Sequence, residues 1–81
     1  MDQIESANYW FANCVKGKKF KRKNGNVIYI AFDLEIDTSY LRHYGFVQEF
    51  IKMRDLRSDK VFSVTRDNFT YKWTEVEDGP S

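Results

Sequence analysis

The spacing of hydrophobic residues changes from a helical to a strand period at Gly17. Before it, apolar residues recur every three or four positions, which is typical of one face of a helix. They are Ile4, Ala7, Phe11 and Cys14. Asp2 and Glu5 form an Asp-x-x-Glu capping box at the start of this segment. The pattern therefore predicts a helix over residues 2–15 and places Cys14 on its buried face.

Strict alternation follows in the stretch NVIYIAFDLEID, residues 26–37. One set of alternate positions is wholly apolar: Ile28, Ile30, Phe32, Leu34 and Ile36. The other set carries Val27, Tyr29, Ala31, Asp33 and Glu35. Since successive side chains of a strand point to opposite faces, the pattern predicts a long, half-buried strand with the first set facing the core.

The preceding basic stretch KGKKFKRKNG can pair with this strand in two registers. A two-residue Asn-Gly loop pairs Phe20 with Tyr29 and puts lysines on the core face. A three-residue loop that begins one residue earlier pairs Phe20 with Ile28 and Lys19 with Tyr29. A slip of one residue inverts both faces, so burial favours the second register. We therefore expect Lys19 and Lys21 to point outward beside Tyr29.

The second half of the chain predicts a loop, a hairpin and a closing strand. Residues 37–45 read as an aromatic loop, and a third strand spans roughly 46–56. A turn at Ser58-Asp59 pairs Met53 with Val64 in a following strand. The shared inner face would consist of Ile51, Met53, Phe62 and Val64, and the outer face of Lys52, Arg54, Ser63 and Thr65.

The end of the chain predicts three short segments. Residues 66–69 indicate a tight turn or a single 3₁₀ turn, and TYKWTEV a last strand. Residues 77–81 are expected to form a disordered tail. One helix followed by about five short strands over 17–76 predicts a mainly β (α+β) fold, in which a strongly bent antiparallel sheet forms a partial barrel.

This layout resembles small SH3-like barrels, including accessory proteins that phages and plasmids encode. The residues that carry the resemblance are KGKKFKRKNGNVIYIAF as the first hairpin, the aromatic loop 38–46, and VFSVTRDNFTYKW. In the last segment, Phe69 and Trp73 would occupy the break and the closing strand of such a barrel. The resemblance implies a binding module, and an inhibitor of a host or defence complex is one form of it. It names no ligand, because fold does not fix function.

Composition limits the possible classes of protein. The chain has 81 residues, which predicts one domain over 1–81 with a small core. Its net charge is +1, so binding to a polyanion would require a local patch. A single cysteine permits no intramolecular disulfide, and no signal peptide or membrane-length apolar run is evident. We expect a cytoplasmic protein.

The residues that could carry out catalysis are few. His43 and Cys14 are the only histidine and cysteine. A Cys-His pair can serve as nucleophile and base, but we assign Cys14 to the core and His43 to the surface. Asp33, Glu35 and Asp37 alternate along a strand and could bind a hard cation, although a solvated face paired with lysines is the simpler interpretation. We predict no enzyme activity, no cofactor and no metal.

Two binding surfaces remain as hypotheses. The first is the loop, whose Tyr and Arg residues are of the types enriched at protein interfaces. It would engage a protein partner through Tyr40, Leu41, Arg42 and Tyr44. The sequence leaves open whether Tyr40 and Tyr44 are exposed, and whether the chain is a monomer or a homodimer.

The alternative is a nucleic-acid surface on the outer faces of the two hairpins. Cations would contact phosphates and an aromatic ring would stack on bases, as in modules that bind single strands. The residues would be Lys19, Lys21, Arg22, Lys23, Tyr29, Lys52 and Arg54.

Overall fold

The computed structural model describes residues 2–76 and contains an open antiparallel sheet of five strands with three helices. The elements are α1 Gln3–Cys14, β1 Lys19–Arg22, β2 Tyr29–Asp37, α2 Leu41–Tyr44, β3 Gln48–Asp55, β4 Val61–Thr65, α3 Arg66–Lys72 and β5 Trp73–Glu75. The strand order is β4-β3-β2-β1-β5. This confirms a mainly β fold in which an N-terminal helix precedes an antiparallel sheet. The sheet is not closed into a barrel. The predicted tail, 77–81, lies outside the described residues.

Helix α1 begins as the capping pattern predicts. The Glu5 N–H donates to the Asp2 carboxylate at 2.8 Å, which satisfies one of the free N–H groups of the first turn. Phe11 and Val15 are buried. Cys14, however, is exposed, so its assignment to the core is wrong. Val15, four residues after Phe11, takes the buried position at the end of the helix instead.

The predicted core face of β2 is wrong for its first half. Tyr29 and Ala31 are buried, at 8% and 0% exposure, whereas Ile30 belongs to the outer face. A bulge interrupts the pairing with β3 between Ala31 and Asp33, where Phe32 is the additional residue. Because an extra residue shifts the alternation by one position, Leu34 returns to the core side and packs against the buried cluster.

The first hairpin adopts the register that burial was expected to exclude. Phe20 lies opposite Tyr29 and Lys19 opposite Ile30. The predicted three-residue turn is also wrong. The chain turns where the Gly25 N–H donates to Arg22 O at 2.9 Å, and residues 23–28 then connect to β2. The lysines stay outward because the bulge puts Tyr29, rather than Ile28, on the core side.

The faces of β3 and β4 are confirmed, although the predicted register is not. Ile51 and Met53 are fully buried, and Phe62 and Val64 pack against the core. Met53 lies opposite Phe62, not Val64. A slip of two residues preserves both faces. The connection between β3 and β4, residues 56–60, is longer than the predicted two-residue turn. The Asp55 carboxylate holds it by accepting the Arg57 N–H at 2.8 Å.

The segment after β4 is more helical than predicted. Instead of a single turn, α3 has seven residues and continues to Lys72, so the last strand is only Trp73–Glu75. Thr65 caps the helix by accepting the Asn68 N–H at 3.2 Å. The reason is tertiary: α3 places Phe69 in the core, where its ring centroid lies 4.7 Å from that of Phe20.

The core lies between the inner face of the sheet and helices α1 and α3. It comprises Phe11, Val15, Phe20, Tyr29, Ala31, Ile51, Met53, Phe69 and Trp73. Arg66 of α3 contacts both the sheet and helix α1. Its guanidinium lies 2.8 Å from the Glu49 carboxylate and 4.0 Å from the Trp10 ring centre.

We predict that Phe69→Ala removes the main contact between α3 and the sheet. Truncating a buried aromatic residue costs about 3–5 kcal/mol, a large part of the stability of a small domain. Urea denaturation should show this loss. Tyr71→Ala is the matched control, because Tyr71 lies on the same helix and is 72% exposed. Equal effects of the two substitutions would contradict the position of α3.

Candidate functional site

An exposed group of three aromatic side chains and one leucine occupies the connection between β2 and β3. We define the loop cluster as Tyr40, Leu41, Tyr44 and Phe46. These residues are 41%, 40%, 70% and 44% exposed, respectively. The rings of Tyr40 and Phe46 stack at 5.5 Å with an angle of 11° between their planes, and Tyr44 lies about equally close to both. The loop cluster is therefore a continuous apolar surface rather than a lid folded into the core.

Local hydrogen bonds give the loop its shape. Asp37 ends β2 and accepts the Ser39 N–H at 2.8 Å. The Leu41 N–H donates to Thr38 O at 3.0 Å, which starts the single turn of α2. Gly45 ends that turn with φ 74°, a left-handed conformation that favours glycine. The sequence DTSYLRHYG thus contains both the start and the stop signal of this turn.

Gln3 fixes the loop to helix α1. Its side-chain amide donates to Gly45 O at 2.8 Å, and its carbonyl accepts the Val47 N–H at 3.1 Å. The Gln3 side chain thus makes the two hydrogen bonds to the loop backbone that a neighbouring strand would make. These bonds connect residues 42 and 44 positions apart in the sequence. The backbone beside the loop cluster is consequently fixed to helix α1.

All four residues predicted to bind a partner lie together on this loop. Tyr40, Leu41, Arg42 and Tyr44 are all exposed, which answers the question that the sequence left open for the two tyrosines. Sequence reasoning missed Phe46, because it was assigned to the start of the third strand. Its position directly after Gly45 was the available signal, since a hydrophobic residue that follows a helix-ending glycine often packs back on the helical turn.

The predicted basic surface is only partly assembled. Lys19 and Arg54 lie on either side of Ile30 on the outer face of the sheet. Tyr29 does not take part, because its ring is buried against Phe62 and Trp73. The expectation that Tyr29 lies outward as a stacking platform is therefore wrong, and the reason is the one-residue change of register described above.

The remaining predicted cations have diverse environments. Lys21 lies opposite Thr74 of β5, Lys23 lies in the turn after β1, and Arg22 covers the rings of the core. Lys52 lies opposite Asp33, and Arg54 Nε lies 3.8 Å from Asp59 Oδ1. Acidic residues thus lie beside Lys52 and Arg54. Their negative charge weakens the electrostatic attraction of these two cations for a phosphate backbone.

The loop cluster and the basic hairpin lie at opposite ends of β2. The hairpin pairs with Tyr29 and Ile30 at its start, and the loop follows Asp37 at its end. At about 3.3 Å per residue, β2 separates them by roughly 26 Å. Between them lie Asp33 and Glu35. The exposed rings and the cluster of lysines therefore do not form one surface.

Cys14 and His43 are not brought together either. Cys14 ends α1, whereas Gln3 near its start contacts the loop that carries His43. At 1.5 Å per residue, the helix places Cys14 roughly 16 Å from that contact. Among residues 2–76, no three His, Cys, Asp or Glu side chains are grouped in a way that could hold a metal ion.

Comparison with protein-family models, curated proteins and solved structures finds no match to this chain. Within the described part of the chain, the helices are too short or too polar to cross a membrane. The function must therefore be inferred from the surfaces themselves.

We predict that Ser39→Ala raises the pKa of Asp37. The Ser39 hydroxyl, followed by the Ser39 N–H, stabilises the carboxylate and lowers its pKa. Because the folded-state pKa lies below the unfolded one, the stabilisation is complete above the unfolded-state pKa and is lost as pH falls through the folded-state pKa. Carboxyl-detected NMR titration measures the pKa of Asp37 in the folded protein. Ser58→Ala is the control, because Ser58 contributes to the lowered pKa of Asp55 instead.

We also predict that Gln3→Ala loosens the loop without unfolding the domain. Gln3 is exposed, so its truncation removes only the two hydrogen bonds, each contributing about 0.5–1.5 kcal/mol. Amide hydrogen exchange at Val47 should become faster, while exchange at the buried Ile51 stays the same. Unchanged protection at Val47 would mean that Gln3 does not hold the loop.

Proposed function

We propose that this protein is a non-enzymatic module that binds a protein partner through the loop cluster. The observation that carries the proposal is the stack of Tyr40 on Phe46, exposed beside Tyr44 and held by Gln3. The resemblance to phage and plasmid accessory proteins makes an inhibitor or modulator of a host or defence complex the version we favour.

Contact area and preorganisation both favour the loop cluster as a binding surface. Tyrosine and phenylalanine offer large contact areas with only two rotatable side-chain bonds, so little entropy is lost when they become ordered. Here the rings already contact one another and the backbone is already fixed. Binding would therefore lose less free energy to ordering than binding by a flexible loop.

The composition of the loop also favours one kind of partner. Arg42 and His43 lie on the same helical turn as Leu41 and Tyr44 and are exposed. A surface of rings with a cation beside them is suited to an apolar pocket with an acidic rim, because interfaces combine an apolar core with a polar rim and carry complementary charges.

The alternative, nucleic-acid binding, has one supporting observation. Lys19 and Arg54 flank Ile30 on the outer face and could contact two phosphates. Against it stand the buried ring of Tyr29 and the separation of the exposed rings from the lysines. We therefore rank it second.

The test is site-specific photocrosslinking in cells that produce the protein. We expect benzoylphenylalanine at position 44 to capture one defined protein, and benzoylphenylalanine at position 71 to capture none. Binding of that protein, once purified, should weaken at least about tenfold in Tyr40→Ala and Tyr44→Ala, as expected for hot-spot residues. Salt should have little effect.

Tyr9→Ala is the control for this experiment, because Tyr9 is 65% exposed but lies on helix α1. Equal binding by all three alanine variants would exclude the loop cluster. Loss of binding only on charge reversal at Lys19 and Arg54, together with a steep salt dependence, would favour the nucleic-acid alternative.

A further inference from the structure

The curled sheet leaves a groove between its two edge strands, β4 and β5. Arg22 of β1 lies three strands away from β4 in hydrogen-bonding order, yet its guanidinium carbon is 5.6 Å from the Phe62 ring centre. The rings of Phe62 and Trp73, one from each edge strand, are 5.9 Å apart. The groove has a volume of about 410 Å³, and its lining includes Arg22, Ser63, Thr65 and Asn68. We refer to it as the seam.

One wall of the seam is a strand edge with free backbone groups. The Asp55 N–H donates to Lys60 O at 2.9 Å, which marks these opposite residues as a hydrogen-bonded pair. Hydrogen-bonded and non-hydrogen-bonded pairs alternate along an antiparallel ladder. The backbone N–H and C=O groups of Phe62 and Val64 therefore bond to β3. The backbone groups of Val61 and Ser63, and the N–H of Thr65, point away from β3. No strand pairs with them in the part of the chain that is described.

This edge lacks the features that usually prevent strand addition. Natural edge strands carry charges, proline or bulges, whereas β4 reads Val-Phe-Ser-Val-Thr. Its pairing with β3 is regular over five residues. Such an edge can accept an extended peptide as an additional strand, with main-chain hydrogen bonds supplying the affinity.

Arg22 supplies the charge of the seam. Three rings surround its guanidinium, with the Trp73 ring centre at 4.9 Å, and it donates to the Tyr29 hydroxyl at 3.2 Å. The ion pairs among the described residues do not include Arg22. It is nonetheless exposed, so a positive charge held by the rings faces the groove. A carboxylate is the complementary group, because arginine binds it with two parallel hydrogen bonds.

We propose that the seam binds an extended acidic peptide segment, which adds to β4 as a sixth strand and places a carboxylate on Arg22. This goes beyond the proposed function and uses none of the residues of the loop cluster. A second copy of the chain fits less well, because its β4 strand, Val-Phe-Ser-Val-Thr, carries no carboxylate to place on Arg22.

The test is a fluorescence anisotropy titration with labelled ten-residue peptides. The probe alternates glutamate and threonine, and the comparison peptide alternates lysine and threonine. A third peptide has the acidic sequence with every second backbone nitrogen methylated, which removes donors without changing the charge. We expect the acidic peptide to bind and the other two to bind at least about tenfold more weakly.

Two protein variants test the two parts of the seam. Arg22→Gln should weaken the acidic peptide about tenfold, the scale of a lost charge-assisted pair of hydrogen bonds, while Arg57→Gln makes the same change of charge in the β3–β4 turn and should have no effect. Ser63→Pro removes an N–H that points away from β3, a position where edge strands tolerate proline, and should abolish binding. Circular dichroism and thermal unfolding establish that each variant is folded.

The methylated peptide tests backbone pairing even where Ser63→Pro fails to fold. Equal binding of the acidic and the basic peptide, or of the methylated and the unmethylated one, would overturn the proposal. Absence of binding at millimolar peptide would do the same. A dimer in sedimentation analysis that Ser63→Pro converts to monomer would show that a second copy occupies the edge instead.

Discussion

The bulge between Ala31 and Asp33 is the constraint on which the rest of the structure depends. In a regular strand, the face that buries Tyr29 and Ala31 would also bury Asp33 and Glu35 without partners, at a high cost in free energy. The extra residue, Phe32, lets β2 bury aromatic and apolar groups in both halves. It also sets the register of the first hairpin and increases the twist of the sheet, which brings the two edge strands towards each other.

The parts of the fold that depend on local chemistry could be predicted from the sequence. The cap of α1 can be predicted from two residues that lie three positions apart. The inner and outer faces of β3 and β4 can be predicted from the alternation of apolar and polar residues. The bulge could not be predicted, because alternation in residues 26–37 is unbroken and only the burial of Tyr29 reveals the shift. The length of α3 likewise depends on the contact of Phe69 with Phe20, which no local pattern encodes.

The candidate site was partly predictable for a related reason. An aromatic loop residue is hard to place in a core, so Tyr40 and Tyr44 stood out in the sequence. The backbone beside them is bonded to a distant residue, Gln3, that carries no recognisable signal. The aromatic residues are thus divided between two uses. Phe20, Tyr29, Phe69 and Trp73 stabilise a small core, whereas Tyr40, Tyr44 and Phe46 form exposed surface on the loop.

The pairing of β1 with β5 has a consequence for how the chain folds. Phe20 lies opposite Glu75, so this contact closes a loop that contains every other strand. Contacts between residues distant in sequence slow folding, because the entropy of closing the loop is lost before the contacts form. The β3–β4 hairpin is local and can form first. During synthesis the sheet can be completed only after β5 has emerged, and until then the edge of β1 is open to other chains.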